Sequence, residues 1–143
     1  MAGRLGDTLE GSTGSGGWVA VTVSWVLDPA DESFVAEGIG VPPGLRSLVV
    51  ASEFTNLGSA DFLAPPDVGL VLVDAEGTRH GRATATLTAY PRFRHGSIGP
   101  GQGVSGHTYF VVPRTETVLQ VEWSAGTDVS LPPLRWRVHP AKL

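Results

Sequence analysis

Cysteine is absent from the 143 residues, and that one gap removes disulfides, thiolate nucleophiles and cysteine-ligated zinc together. It leaves the compartment open, because a cysteine-free domain is stable on either side of a membrane. Basic runs are missing as well. The formal charge is −4 and no stretch of Lys or Arg interrupts the chain, whereas a nucleic-acid binder carries a basic stripe that displaces counterions. Nucleic acid is therefore not expected as a partner. No stretch approaches the ~20 apolar residues of a membrane helix, so no span is expected. The opening "MAGRLGDTLEGSTGSGG" is dominated by glycine and serine and lacks the apolar core of a signal peptide. No internal repeat and no linker divides the chain.

What is present is a set of short apolar runs punctuated by glycine and proline. With 41% hydrophobic residues the chain carries enough apolar side chain for a packed core, and residues 1–143 suit a single domain. The 19 Gly and 11 Pro fall between the apolar runs, which points to many turns and many strands. "WVAVTVSWVL" (18–27) places Val19, Val21, Val23 and Trp25 on one parity and Ala20, Thr22 and Ser24 on the other. That is the period of a strand with one buried face. Leu48, Val50, Ser52 and Phe54 alternate with Val49, Ala51, Glu53 and Thr55, as a central sandwich strand would. Leu5 to Leu9 suit a short edge strand. Residues 68–87 read as strand, turn at Asp74 to Gly77, and an exposed strand from Arg82 to Leu87. Further strands are expected in 104–112, 118–123 and 134–138, and one helical turn around Ala30 to Val35. Seven to nine strands with almost no helical period predict an antiparallel β-sandwich, which covers apolar strand faces with a second sheet. A closed barrel is the structural alternative.

In "SIGPGQGVSGHTYFVVP" (97–113), Pro100 fixes one turn residue, while Gly101 and Gly103 admit backbone angles closed to other residues. The stretch reads as a corner feeding an inner strand that stops at Pro113, which has no N–H for the ladder. "IGPGQGVSGHTYFVVP" also resembles a family pattern of proline-glycine, spacer, glycine and an aromatic strand ending in valine-proline. "LGDTL" (5–9), "VTVSWVLDPA" (21–30), "VVASEFTNLG" (49–58) and "LVDAEGTRH" (72–80) fall in the matching order. Over residues 5–124 the chain is thus similar to the DUF4352 group and the related MPT63-like secreted antigens of actinobacteria. The resemblance implies an immunoglobulin-like β-sandwich in an exported protein or lipoprotein of a bacterial envelope. It supplies no catalytic residues.

Reactive constellations are scarce. His80, His95, His107 and His139 lack metal-ligand spacing, so no metal and no cofactor are expected. Asp28, Asp31 and Glu32 lack the spacing of a calcium loop and read as solvated carboxylates of a turn. Asp61 with Asp67 are the nearest thing to a hydrolytic pair, in a loop without a supporting aromatic cleft. No nucleophile elbow is present. The chain is therefore expected to be no enzyme, with no catalytic residue. Trp25, Phe54, Phe110, Trp123 and Trp136 sit at inward parities and are expected in the core. Trp18, Tyr90 and Phe93 lie near turns, the last two flanking Pro91 and Arg92. Trp18, Tyr90, Arg92 and Phe93 are thus the candidate ligand-binding residues, for another protein or a cell-envelope component. The expected function is a non-enzymatic exported or envelope binding domain, with a carbohydrate-binding module or a phage capsid or tail decoration domain as alternatives. The expected location is secreted or cell-surface if an export signal has been removed, and otherwise cytoplasmic or in a virion.

Overall fold

Period-two runs become strands here, and their apolar parities meet in one core. The computed structural model describes residues 2–13, 16–125 and 132–138; His139 lies outside them. The strands are β1 (Ala2–Arg4), β2 (Thr8–Ser12), β3 (Trp18–Leu27), β4 (Leu45–Asn56), β5 (Phe62–Ala64), β6 (Leu70–Asp74), β7 (Arg79–Gly81), β8 (Gly96–Ile98), β9 (Gly103–Pro113), β10 (Val118–Trp123) and β11 (Leu134–Arg137). The α-helix α1 (Asp31–Ala36) follows β3, and a short 3₁₀ turn spans Pro66–Gly69. One sheet has the order β1-β11-β10-β6-β7 and the other β2-β3-β4-β9, with β5 and β8 paired beside them. Among the described residues β1 with β11 is the one parallel strand pair, and a single parallel bridge joins Arg92 to His107. This is the antiparallel immunoglobulin-like sandwich expected from the sequence. The strands beyond the expected number are three-residue pieces, β1, β5, β7 and β8, too short to show a period.

Val19, Val21, Val23, Leu48, Val50, Phe54, Phe110 and Val112 of one sheet face Leu70, Leu72, Val121, Trp123, Leu134 and Trp136 of the other. The two buried tryptophans also satisfy their N–H groups, Trp123 Nε1 donating to Pro66 O (3.0 Å) and Trp136 Nε1 to Asp7 O (3.0 Å). Gly69 passes so close to the end of β10 that a Cβ there would lie 2.0 Å from Ser124 O.

The second sheet is covered on its outer face too. Phe34 of α1, Ala30, Leu87 and Tyr109 form a smaller cluster with Val49. Consequently Leu48 to Ser52 of β4 are buried on both parities. Residues 82–87, expected as an exposed strand, are no strand. They form a segment that laps over this face, and Leu87 is fully buried in the small cluster. Of the three carboxylates expected in solvent, Glu32 is exposed, whereas Asp28 and Asp31 are partly buried and tied to the fold. Asp28 holds the Arg46 guanidinium at 2.7 and 3.2 Å, and Asp31 accepts from the N–H and hydroxyl of Ser47 (2.8 and 2.6 Å). These carboxylates fasten the α1 segment to β4.

The stretch 97–113 is a corner, and Asn56 at the end of β4 pins it. Gly101, at φ +79°, donates its N–H to Asn56 O (2.7 Å), while Asn56 Nδ2 donates to Ile98 O (2.8 Å).

Candidate functional site

β3 departs from simple alternation at one point. Val23 pairs with Ser52, but the next paired residue is Trp25 with Ala51, so Ser24 is an extra residue in the ladder. A bulge of this kind turns every later side chain to the opposite face. Trp25, expected in the core, therefore lies on the outer face and is 38% exposed, while Val26 packs toward the core in its place.

Across that outer face the register runs Trp25, Ala51, His107. Ala51 is a low floor between two larger groups, and Tyr90 closes the cluster from the overlying segment. Trp25 lies 5.7 Å from Tyr90 and 5.5 Å from His107, and Tyr90 lies 5.4 Å from His107. The interplanar angles are 70°, 46° and 62°, so Tyr90 meets both other rings edge to face while Trp25 and His107 are tilted. The Tyr109 hydroxyl, buried below, donates to Tyr90 O and fixes that turn of the chain.

β9 is the edge strand of its sheet, and residues 90–95 wrap around that edge. Tyr90 stands on the outer face, whereas Phe93 reaches into the sandwich. Phe93 is only 6% exposed and packs 5.5 Å from Phe54. Gly106 makes the socket, since a Cβ there would sit 2.8 Å from the Phe93 ring. Between them, Pro91 O accepts both the His107 backbone N–H (2.9 Å) and a hydrogen bond from His107 Nδ1 (2.9 Å). A carbonyl oxygen only accepts, so Nδ1 carries the proton of this hydrogen bond.

Below this wrap a groove of about 510 Å³ opens along the first half of β9. Arg92, Arg94, His95 and His107 line it over a floor that includes Val104 and Gly106, and none of its lining residues is acidic. Arg92 is partly committed, its Nη1 donating to Ala85 O (3.3 Å); Arg94 and His95 are exposed. The backbone adds to the site. His107 N–H and Tyr109 O, which point to the open edge, are taken by Pro91 O and Ala83 N–H. Ser105, next in that series, turns its N–H and C=O the same way, with no backbone partner there among the described residues.

The sequence candidates are thus divided. Tyr90 and Arg92 belong to the aromatic cluster and the groove. Phe93 is a core ring. Trp18 is exposed (45%) but sits at the opposite end of β3, roughly 23 Å along the strand from Trp25, where its Nε1 donates to Glu10 Oε1 (3.1 Å). Trp25, His107 and Arg94 are the members missed from sequence. Two marks of the site were available. "WVL" (25–27) breaks the polar-apolar alternation where the bulge falls, and Gly106 is a glycine inside a strand, which signals close approach of another group.

The other polar constellations are used by the fold. Asp67 is buried, accepting from Thr108 Oγ1 (2.5 Å) and Arg82 Nη1 (2.9 Å). His80 is held on Asp74 at 2.8 Å. That hydrogen bond, with the N–H groups of Thr78 and Glu76 and against the cost of burial, keeps the Asp74 carboxyl below the usual carboxylate range. Among the described residues no three His, Asp or Glu side chains gather as metal ligands, and no helix is long and apolar enough to cross a membrane.

No protein-family model matches the chain, and no curated protein matches it. Solved structures do. The secreted protein MPT63 of Mycobacterium tuberculosis is 15% identical, with 96% of each chain covered and a TM-score of 0.68. The putative lipoprotein YcdA of Bacillus subtilis is 14% identical over 86% of this chain and 37% of its own, with a TM-score of 0.59. The yjhA protein of the same organism is 15% identical over 95% and 99%, with a TM-score of 0.56. The chain therefore has an MPT63-like fold; the DUF4352 part of the resemblance finds no matching family model.

Proposed function

We propose that the chain is a non-enzymatic binding domain of the bacterial envelope or its exterior, docking an extended acidic segment of another protein on the edge of β9. The observation that carries this is the cationic groove, about 510 Å³ and free of acidic lining, beside the Trp25–Tyr90–His107 cluster. Exposed rings next to arginines are common anchors of protein interfaces. The outward N–H and C=O of Ser105 offer a further strand-like contact. A flat sugar-stacking platform is disfavoured, because Tyr90 stands at 70° to Trp25 and leaves no shared plane. The non-enzymatic reading is supported by Asp28, Asp31, Asp67 and Asp74, which are tied to fold partners instead of facing a cleft. The envelope setting is supported by the fold shared with a secreted protein and a putative lipoprotein.

The test is retention of the purified domain on envelope material, before and after that material is treated with protease. Retention should be lost after protease and weakened by salt. Trp25→Ala and Arg94→Glu should each reduce it at least about tenfold, as hot-spot losses do, with unchanged circular dichroism. Retention that survives protease would replace the protein partner with a glycan or lipid. Retention indifferent to both substitutions would sink the site.

A further inference from the structure

The outer face of the β1-β11-β10-β6-β7 sheet carries an unusual share of the positive charge. Cross-strand register places Arg4, Arg137, Gln120, Val73 and Arg79 in one row, and Ala2, Arg135, Glu122, Val71 and Gly81 in another. The row between them, with Trp136, Val121 and Leu72, points into the core, so the arginines stand on the solvent side. Paired strands lie ~4.8 Å apart, which puts Arg4 and Arg79 roughly 19 Å from each other across the sheet. Four of the ten basic residues thus share one face with a single carboxylate, in a chain whose formal charge is −4. Glu76 and Glu116 sit in turns at the rim of the same sheet.

Glu122 is buried and holds Arg79 (2.6 Å) and Arg135 (2.9 Å), whose side chains remain 54% and 51% exposed. Arg4 and Arg137 are different. They are directly opposite on paired strands, and among the described residues neither guanidinium has a partner. Like charges so placed repel, and the fold gains nothing from them.

We propose that this face adsorbs to an anionic phospholipid surface. Its cations are spread in two dimensions over a sheet face. A single phosphate would need converging groups, and a linear polyanion a line of charge in a groove; the headgroups of a leaflet present a two-dimensional array. Val71 and Val73 are half-buried between the arginines, and beside Gln120 only Leu119 among the described large apolar residues of β10 is exposed (42%), so the contact is mainly electrostatic, sensitive to salt and confined to the membrane surface. The face lies on the sheet that does not contain β9, so the proposal stands apart from the groove and fails independently of it.

The experiment is co-sedimentation of the whole chain with vesicles of phosphatidylglycerol and phosphatidylcholine in a ~1:2 ratio, and with phosphatidylcholine alone, at low and at near-physiological salt. The anionic vesicles should bind the chain at low salt and release it as salt rises, and the neutral ones should not bind. Each arginine near the surface is worth about fivefold in partitioning, so Arg4→Gln with Arg137→Gln should weaken binding about 25-fold. The matching double lysine variant should bind within about twofold of the parent, since a lipid surface reads charge and not guanidinium geometry. Glu76→Gln with Glu116→Gln should tighten binding, and Arg94→Glu in the groove should leave it unchanged. Equal binding to neutral vesicles, no binding at low salt, or loss that follows Arg94 and not Arg4 and Arg137 would each overturn the proposal. So would full release of the chain from vesicles by soluble polyphosphate at equal phosphate concentration, which would identify a polyanion site.

Discussion

Replacing Phe93 and Trp25 with alanine, one at a time, separates a ring that builds the fold from one that is displayed by it. Phe93 is 6% exposed, lies 5.5 Å from Phe54 and rests on Gly106. Removing a buried phenylalanine costs about 3–5 kcal/mol, from the lost transfer free energy and the cavity left behind. The lower end applies, because residues 90–95 lie at the rim of the sandwich and can settle into part of the space. About 3 kcal/mol in a chain of this size is a fall of roughly 10 °C in melting midpoint. Trp25 keeps 38% of its surface in water and makes two ring contacts, with Tyr90 and His107. Aromatic contacts contribute about 0.5–1.5 kcal/mol each, so losing the two should make Trp25→Ala cost about 1–3 kcal/mol. Urea and thermal unfolding followed by far-ultraviolet circular dichroism give both numbers, and an unchanged urea slope licenses their comparison. Envelope retention should move the opposite way: Trp25→Ala lowers it at least about tenfold while Phe93→Leu, which keeps the core filled, leaves it intact. If Phe93→Ala lost less than about 1 kcal/mol, or Trp25→Ala were the more destabilising, the assignment of the two rings to core and surface would be refuted.

Two further outcomes follow from the buried carboxylates. Arg82→Ala strands Asp67, which is 2% exposed and then keeps only Thr108 as a partner. Breaking a fully buried ion pair costs about 3–5 kcal/mol, and because the Arg82 side chain is 28% exposed the loss should be nearer 2 kcal/mol. Chemical denaturation measures it, and a loss under about 0.5 kcal/mol would show that water replaces the guanidinium without cost. Asp74, held by His80, has a folded pKa below its unfolded value. Its contribution is therefore fully present above the unfolded value of about 3.9 and is lost as pH falls through the lower folded value. The stability gap between the parent and Asp74→Asn should be constant near neutrality and close progressively below about pH 4. A gap that stays constant down to pH 2 would mean that the carboxylate charge contributes nothing.

Much of the sandwich was legible because a half-buried strand writes its own period. Val19, Val21 and Val23 in β3, Phe110 and Val112 in β9, and Val121 with Trp123 in β10 all point inward as their parity requires. β4 was legible for the opposite reason. Its mixture of apolar residues on both parities suits a strand covered by the sandwich core on one side and by α1 and Leu87 on the other. Residues 82–87 were misread because alternation alone does not make a strand. Their backbone goes partly to β9, through Ala83 N–H to Tyr109 O, and Arg82 goes to Asp67, so the segment is held without a ladder of its own. Asp28 and Asp31 looked solvated because their partners, Arg46, Ser47 and Arg114, are 16 to 83 positions away in sequence.

The aromatic cluster was harder to foresee, since its residues come from three distant segments and one depends on a single inserted residue. Parity counting carries Trp25 inward along with Val23, and only the extra Ser24 in the ladder reverses it. Without the bulge, Trp25 would compete with Val50 and Thr108 for space in the core, and the outer face would present Val26 instead. The bulge therefore does two things at once: it moves a large ring out of a filled interior and sets it level with Ala51 and His107. A bulge is over-represented where a side chain has to be re-aimed, and the re-aimed side chain here is one wall of the proposed docking site. Deleting Ser24 would remove the bulge yet leave Trp25 opposite Ala51, whereas regular pairing of Ser24 with Ala51 would return Trp25 to the inner parity and dismantle the ring cluster while leaving Arg92 and Arg94 in place. That is why the displayed tryptophan, rather than the arginines, is the feature by which β3 ties the fold to the site.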